Sequence, residues 1–234
     1  MDKFLLVVAF LLPYLLGSVN FSILISKKIS GKDIRDFGSG NAGATNMLRT
    51  HGKKAAIFTL ILDILKGVVA VLFGNLIANL AFYHIVPIGA GTGLAVTDSV
   101  YEAIKNQLPY YNLLAGMGAV LGHNFPLYFK FKGGKGVATS LGVMLALDWK
   151  IALIALVFAL AIMATTRYVS LGSVMAAIIY VAVSLSFMVF EGAFSVPRIV
   201  FDVLFAGLLI FRHRENIKRL LNGTENKLGK KKEG

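Results

Sequence analysis

Residues 122–140 read GHNFPLYFKFKGGKGVATS, and within them Gly133, Gly134 and Gly136 surround Lys135. Glycines at a helix start let backbone N–H groups approach an anion with no Cβ in the way, and the helix N-terminus adds partial positive charge. A lysine among them supplies a point charge for phosphate. The chemistry this stretch suits is the holding of a phosphorylated substrate. The same composition also suits a plain turn carrying charge at a membrane face, and on this stretch alone both readings stand. It is not a nucleotide loop of the GxxxxGK[ST] kind, because Gly136 follows Lys135 where that motif needs Ser or Thr, so ATP is not implied.

A second concavity of the same kind lies at Gly38, Ser39, Gly40, Asn41, Ala42 and Gly43, inside the polar stretch SGKDIRDFGSGNAGATNMLRTH of residues 30–51. Small residues there can turn backbone N–H groups and hydroxyls toward an anion, with Arg35 and Arg49 flanking them. A flexible loop is the competing reading. The third stretch, RHRENIKRLL at residues 212–221, reads as an amphipathic helix with Ile217, Leu220 and Leu221 on one face, ended at Gly223 and followed by Glu225. His213 and Asn216 are three apart and so point the same way. A basic helix lying on anionic lipid would explain the arginines here but not His213 and Asn216.

The elements that must position these residues are apolar. Of 234 residues 56% are hydrophobic and only 15% charged, and the mean hydropathy is +0.72. Soluble chains run nearer a quarter charged, so this is a membrane protein. With no cysteine, disulfide and thiol chemistry are excluded, and four scattered histidines argue against a structural zinc site. The net charge of +12 would fit a nucleic-acid binder until it is mapped. Lysines and arginines gather in residues 27–54, 130–135, 167 and 212–232, between or after apolar runs, while alternate connections are poor in them. That is the positive-inside pattern; it needs no nucleic acid and puts those segments in the cytoplasm.

Apolar runs at residues 4–25, 55–83, 110–121, 137–147, 151–166, 175–190 and 199–211 predict an all-α, polytopic bundle of about seven transmembrane helices, with the N-terminus outside and the C-terminus cytoplasmic. The first run lacks a small-x-small cleavage site and is read as one spanning helix, in which Ser18, Asn20 and Ser22 bond neighbouring helices. Asp63 and Lys66 share a face about 12 Å into the second run. They line a cavity open to the cytoplasm or form an intramembrane pair that fixes packing. Residues 84–109 are expected outside, with GAGTG at 89–93 a loop and Asp98, Glu102 and Lys105 on a short surface helix. The runs at 110–121 and 137–147 are short and flank the glycine loop; irregular backbone at that depth is tolerated where it lines a cavity or is buried in protein. Trp149 marks an interface, and Ser170 and Ser173 are read as caps of the helix that follows residue 167.

GSGNAGATN with Arg49, GHNFPLYFKFKGGKGVAT and HRENIKRLLNGTE resemble the three signature motifs of the bacterial acyl-phosphate-dependent glycerol-3-phosphate acyltransferases, in family order and over nearly the whole chain. The stretch 84–109 is longer than that family leads one to expect. The resemblance implies acyl transfer from acyl phosphate to the 1-hydroxyl of glycerol 3-phosphate, giving lysophosphatidic acid and inorganic phosphate at the start of phospholipid synthesis. It implies a single plasma-membrane domain with its site on the cytoplasmic side, working with membrane lipids but with no cofactor, metal or obligatory protein partner. The catalytic set it implies is Ser39, Arg49, Lys135, His213 and Asn216. The substrate-binding set is Gly38, Ser39, Gly40, Asn41, Thr45, Asn46, Lys66, Gly133, Gly134, Lys135, Gly136, Ser170 and Glu225. Ser39, Asn41 and the glycine N–H groups would hold the acyl-phosphate end, and Lys135, His213 and Asn216 the glycerol 3-phosphate. For the proton, His213, His123 and the leaving phosphate all stand as acceptors; Ser39 as a nucleophile lacks a placeable Ser–His–acid set. An organophosphate transporter would use the same cations, but inverted repeats are expected there and none is evident.

Overall fold

The structure, a computed structural model, describes residues 3–91 and 108–229. Ten α-helices occupy these residues: α1 (Lys3–Ser18), α2 (Phe21–Ser30), α3 (Ala44–Thr50), α4 (Gly52–Gly91), α5 (Leu108–Asn124), α6 (Val137–Leu147), α7 (Trp149–Thr166), α8 (Val169–Phe190), α9 (Val196–Arg212) and α10 (Arg214–Leu221). Short 3-10 turns lie at Ile34–Asp36 and Leu127–Phe129. Among the described residues four helical stretches are long and apolar enough to cross a bilayer: α1 with α2, α4 as far as Ala81, α7 and α8. Large apolar side chains such as Leu72, Val157, Leu160 and Leu204 stand exposed around the bundle, which is the surface lipid would cover.

The expected single helix over residues 4–25 is broken. Asn20 is extended (φ −98°, ψ 101°) and its Oδ1 accepts hydrogen bonds from the Ile23 N–H at 3.2 Å and the Ser22 hydroxyl at 2.7 Å. A side-chain carbonyl that caps the new helix competes with continuation of the old one. Asn20 and Ser22 therefore make a cap instead of bonding neighbouring helices. Ser18 does reach another element, accepting from the Leu127 N–H at 3.2 Å.

Two other boundaries differ from expectation. α4 runs on through residues 84–91, where the sequence predicts the start of an outer loop; that stretch is mostly apolar, and stopping there would open backbone carbonyls for no gain. The surface helix expected around Asp98, Glu102 and Lys105 lies outside the described residues. α8 begins at Val169, so Ser170 and Ser173 lie inside its first two turns and cap nothing; Ser173 donates to the Val169 carbonyl at 2.9 Å.

The helices approach through small residues, because apolar surface gives no preference for protein over lipid and close backbone contact has to do the work. A Cβ on Gly122 of α5 would fall 2.2 Å from the Tyr14 carbonyl of α1, and one on Gly142 of α6 would fall 2.0 Å from the Ile64 carbonyl of α4. The main core gathers Val71, Val120, Val143, Tyr180, Phe201 and Phe205 from five helices. At the end opposite the glycine loops, Arg198 and Asp202 pair at 3.0 Å, with Ser184 donating to Asp202 and Arg198 to the Tyr180 hydroxyl. A cavity of about 370 Å³ opens there, away from every motif residue but beside Asp148, Glu191 and Arg198.

Candidate active site

The first glycine stretch is closed by one side chain. Asn46, 1% exposed at the start of α3, donates from Nδ2 to the Ile34 carbonyl (3.1 Å) and the Phe37 carbonyl (2.9 Å), and accepts from the Ser39 N–H at 2.9 Å. All its bonding capacity toward the loop goes to the chain itself. Gly38 (φ +60°) and Gly40 (φ +70°) take backbone conformations that side chains disfavour, and with Ser39 they are exposed. Asp33 holds Arg35 in a bidentate pair, and Arg35 reaches across to the Phe129 and Lys132 carbonyls at 3.1 and 2.8 Å. The Arg35 guanidinium beside Asp33 holds that carboxyl below its ordinary range.

The second glycine stretch is built differently. The Gly133 and Gly134 N–H groups donate to the Asn124 and His123 carbonyls, at 3.3 and 3.1 Å. These two N–H groups, expected to face a phosphate, are spent within the chain. The residues must still be glycine, because a Cβ on Gly133 would fall 2.0 Å from the His123 carbonyl and one on Gly134 would fall 2.4 Å from the Ala42 carbonyl. The second of these contacts brings the two glycine stretches together. Gly136 (φ +80°) caps α6 without a side-chain partner, so the first N–H groups of α6 open at the foot of the loop. From the other side Arg212 stacks over Phe125 at 5.0 Å and donates to the Gly134 carbonyl at 2.8 Å.

Lys135 projects from this pinned loop and donates to Asn216 Oδ1 of α10. Asn216 Nδ2 donates to Glu225 Oε1 at 2.7 Å; the Ser170 hydroxyl donates to the same oxygen at 3.0 Å, and Arg219 Nε donates to Oε2 at 2.7 Å. Glu225 thus ties the start of α8 to α10 and holds the Asn216 amide so that its oxygen faces Lys135. These bonds keep the Glu225 carboxyl below its ordinary range although burial opposes them. Burial, with Arg219, Arg212 and Arg49 nearby and Glu225 opposing, lowers Lys135 to about 8. His213, 3% exposed between α9 and α10, donates from Nδ1 to the Leu209 carbonyl at 2.8 Å, which leaves Nε2 as an acceptor. Burial first, then Lys135, lowers it to about 4, so the ring is neutral at pH 7. Arg49 stands exposed on α3 and makes no hydrogen bond or ion pair among the described residues, although it acts electrostatically on Lys135.

Lys135, Asn216, Ser170 and Glu225 therefore form one hydrogen-bonded unit, with His213 and Arg49 close enough to act on Lys135. The Ser39, Asn41 and Thr45 side chains make no hydrogen bond to that unit. Lys66 is elsewhere, buried beneath the glycine loop at the break between α1 and α2. Arg212 and Arg219 were missed as site residues. Their sequence signal is their place at the third motif, Arg212 just before it and Arg219 within it, where arginines read as basic surface. Among the described residues no three His, Cys, Asp or Glu side chains converge as a metal site would need.

The family profile described as "Glycerol-3-phosphate acyltransferase" matches residues 7–223. The chain is 43% identical over 224 residues to the glycerol-3-phosphate acyltransferase of Halalkalibacterium halodurans, covering 94% of both. It is 36% identical to the crystal structure of PlsY (YgiH), an integral membrane glycerol 3-phosphate acyltransferase, in its glycerol 3-phosphate form. The TM-score is 0.71, over 97% of this chain and 94% of that one. Against the lysophosphatidic acid form of the same enzyme the identity is 35% and the TM-score 0.67.

Proposed function

The chain belongs to the glycerol-3-phosphate acyltransferase family, and on that premise we propose that it transfers an acyl group from an acyl phosphate to the 1-hydroxyl of glycerol 3-phosphate, as a multi-pass bacterial membrane enzyme. The observation that carries the reading is the meeting of cations with a hydrogen-bonded Lys135–Asn216–Glu225–Ser170 unit at one end of the bundle. The clustered basic segments set that end in the cytoplasm, with about seven crossings, the N-terminus outside and a single domain.

Two phosphorylated substrates repel each other, so the site must first supply positive charge. Arg49 and Lys135 supply it, with Arg212 and Arg219 behind them. Lys135, Asn216 and His213 hold glycerol 3-phosphate, while the Ser39, Asn41 and Thr45 side chains and the N–H groups of Gly38 and Asn41 hold the acyl-phosphate end; the Ser39 and Gly40 N–H groups are bonded within the chain. The N–H groups that open α6 after Gly136 face phosphate as well. Gly133, Gly134, Asn46, Ser170 and Glu225 serve the substrates by shaping what touches them, since their polar groups are occupied by the chain.

Attack by the hydroxyl forms the ester C–O bond, and the bond between the acyl carbon and the phosphate oxygen breaks. The proton goes to the leaving phosphate, which departs as hydrogen phosphate. His213, lowered to about 4, is too weak a base at neutral pH to be matched to this step, and its Nε2 instead accepts a hydrogen bond that orients the substrate. An acyl phosphate carries a good leaving group, so positioning and charge stabilisation suffice without an acyl-enzyme.

The test is donor choice by the purified protein in lipid, with labelled glycerol 3-phosphate offered acyl phosphate, acyl-CoA or acyl carrier protein. Lysophosphatidic acid is expected with acyl phosphate alone. Product from a thioester would overturn the donor, and labelled glycerol 3-phosphate taken up by liposomes without product would replace the enzyme with a transporter. Lys135→Ala is expected to abolish turnover in a folded protein.

A further inference from the structure

Beneath the glycine loop the apolar bundle encloses three ionisable groups that contact no exposed surface of the site. Lys66 is 3% exposed, Asp63 1% and His123 3%. The Lys66 ammonium lies 2.8 Å from Asp63 Oδ1, 2.9 Å from the Val19 carbonyl, 2.9 Å from His123 Nδ1 and 3.2 Å from the Gly17 carbonyl. Its three protons are all taken by the chain. Two of these acceptors exist because α1 stops and α2 restarts at Asn20, which frees the carbonyls of the last turn. With Nδ1 accepting from Lys66, His123 carries its proton on Nε2. The edge of its ring then lies against the glycine loop: a Cβ on Gly134 would fall 2.2 Å from His123 Nε2. The backbone carbonyl of the same histidine accepts from the Gly134 N–H.

We propose that Asp63, Lys66 and His123 form a buried positioning latch that fixes the glycine loop, and through it the direction of Lys135, without touching substrate. The inference rests on the acyltransferase reading above and gives Lys66 an indirect part in place of the expected direct one. A charge cluster inside a membrane bundle is costly and adds little stability that well-packed apolar residues could not supply. Its cost is intelligible where direction matters. The loop is gripped from α4 through His123 and from α9 through Arg212, and between those grips only Lys135 points at Asn216. A catalytic cation displaced by about 1 Å can cost on the order of a hundredfold in rate.

The experiment compares His123→Phe, His123→Asn and the double variant Asp63→Leu/Lys66→Met in lipid nanodiscs, with Lys135→Ala as the contact reference. The double variant removes both charges together, so neither is left buried alone. His123→Phe and the double variant are expected to raise KM for glycerol 3-phosphate by on the order of tenfold or more. The alkaline limb of kcat/KM is also expected to move to higher pH. Lys135 is faced by Asn216, Arg219 and Glu225 from α10 and the segment after it, by Arg212 from α9, by His213 at the junction of α9 and α10 and by Arg49 from α3; a loosened loop admits water and returns it from about 8 toward 10.5. His123→Asn, whose side-chain oxygen can stand in for Nδ1, is expected to restore most of the wild-type KM and the original limb. An unchanged KM and limb in folded His123→Phe and in the double variant would overturn the latch. So would activity lost only in proportion to protein unfolded. Amide exchange at residues 133–136 reads the latch independently of turnover. If wild type makes no lysophosphatidic acid, faster exchange in His123→Phe still supports the latch and unchanged exchange rejects it.

Discussion

The two glycine stretches look alike in sequence and differ in construction. At residues 38–43 Gly38 and Gly40 are exposed with positive φ, and a single asparagine closes the loop from behind. At residues 133–136 two glycines have their N–H groups bonded within the chain and carry no side chain because carbonyls lie where a Cβ would be. The first is a rim that bonds its Ser39, Gly40 and Gly43 N–H groups within the chain but leaves those of Gly38 and Asn41 to meet a ligand. The second is a rigid post that aims one lysine. Glycine enrichment thus reports tight backbone geometry, and what the N–H groups bond to decides whether that geometry serves a ligand or the protein.

Gly134→Ala tests the contrast most severely. The added methyl would press on both the Ala42 carbonyl and the His123 ring, so we expect about 1–3 kcal/mol lower stability and activity down by on the order of a hundredfold. Thermal unfolding and turnover read the two effects, and a fully active variant would break the distinction. Asn46→Ala should act on the rim. It strips partners from the Ile34 and Phe37 carbonyls and the Ser39 N–H, with a cost of about 1–3 kcal/mol and a rise in KM for acyl phosphate of roughly tenfold. A larger effect on glycerol 3-phosphate than on acyl phosphate would reverse the assignment of the two stretches.

Alkaline titration sharpens the same point with no mutation. Lys135 is lowered to about 8, so it is charged below that pH and loses its proton as pH rises through it. KM for glycerol 3-phosphate is therefore expected to be flat toward neutrality and to climb above about pH 8, and a profile flat to pH 10 would detach Lys135 from binding. Gly40→Ala should be the mildest change. Positive φ costs a side chain about 1–2 kcal/mol, yet the nearest atom, the Arg35 carbonyl, lies 3.4 Å from a Cβ there. A few-fold change in KM with unaltered kcat is the expected reading.

The motifs themselves were legible because their residue types are unusual in an apolar chain: glycines beside Lys135, arginines beside Ser39, and His213 with Asn216 on a helix too polar to span. Hydropathy and charge placement likewise gave the helical class, since a bilayer demands long apolar helices and leaves cations on one side. Neither signal could show that Ser170 would bond Glu225 instead of capping α8, because a serine near a helix start reads the same in both roles. Nor could they show that Arg212 grips the glycine loop, because an arginine at a membrane face reads as surface charge until its carbonyl partners, nearly eighty positions away, are known.

What the chain determined by itself is the set of chemical groups and the membrane that confines them, because side-chain type and hydropathy are local properties. The tertiary structure alone decided which groups remain available. It spent the Gly133 and Gly134 N–H groups on carbonyls of α5, broke the first apolar run at Asn20 so that two carbonyls could take Lys66, and left Arg49 exposed. Hydrogen-bond partners at long sequence separation are fixed by packing, and in an apolar bundle every polar group must find one.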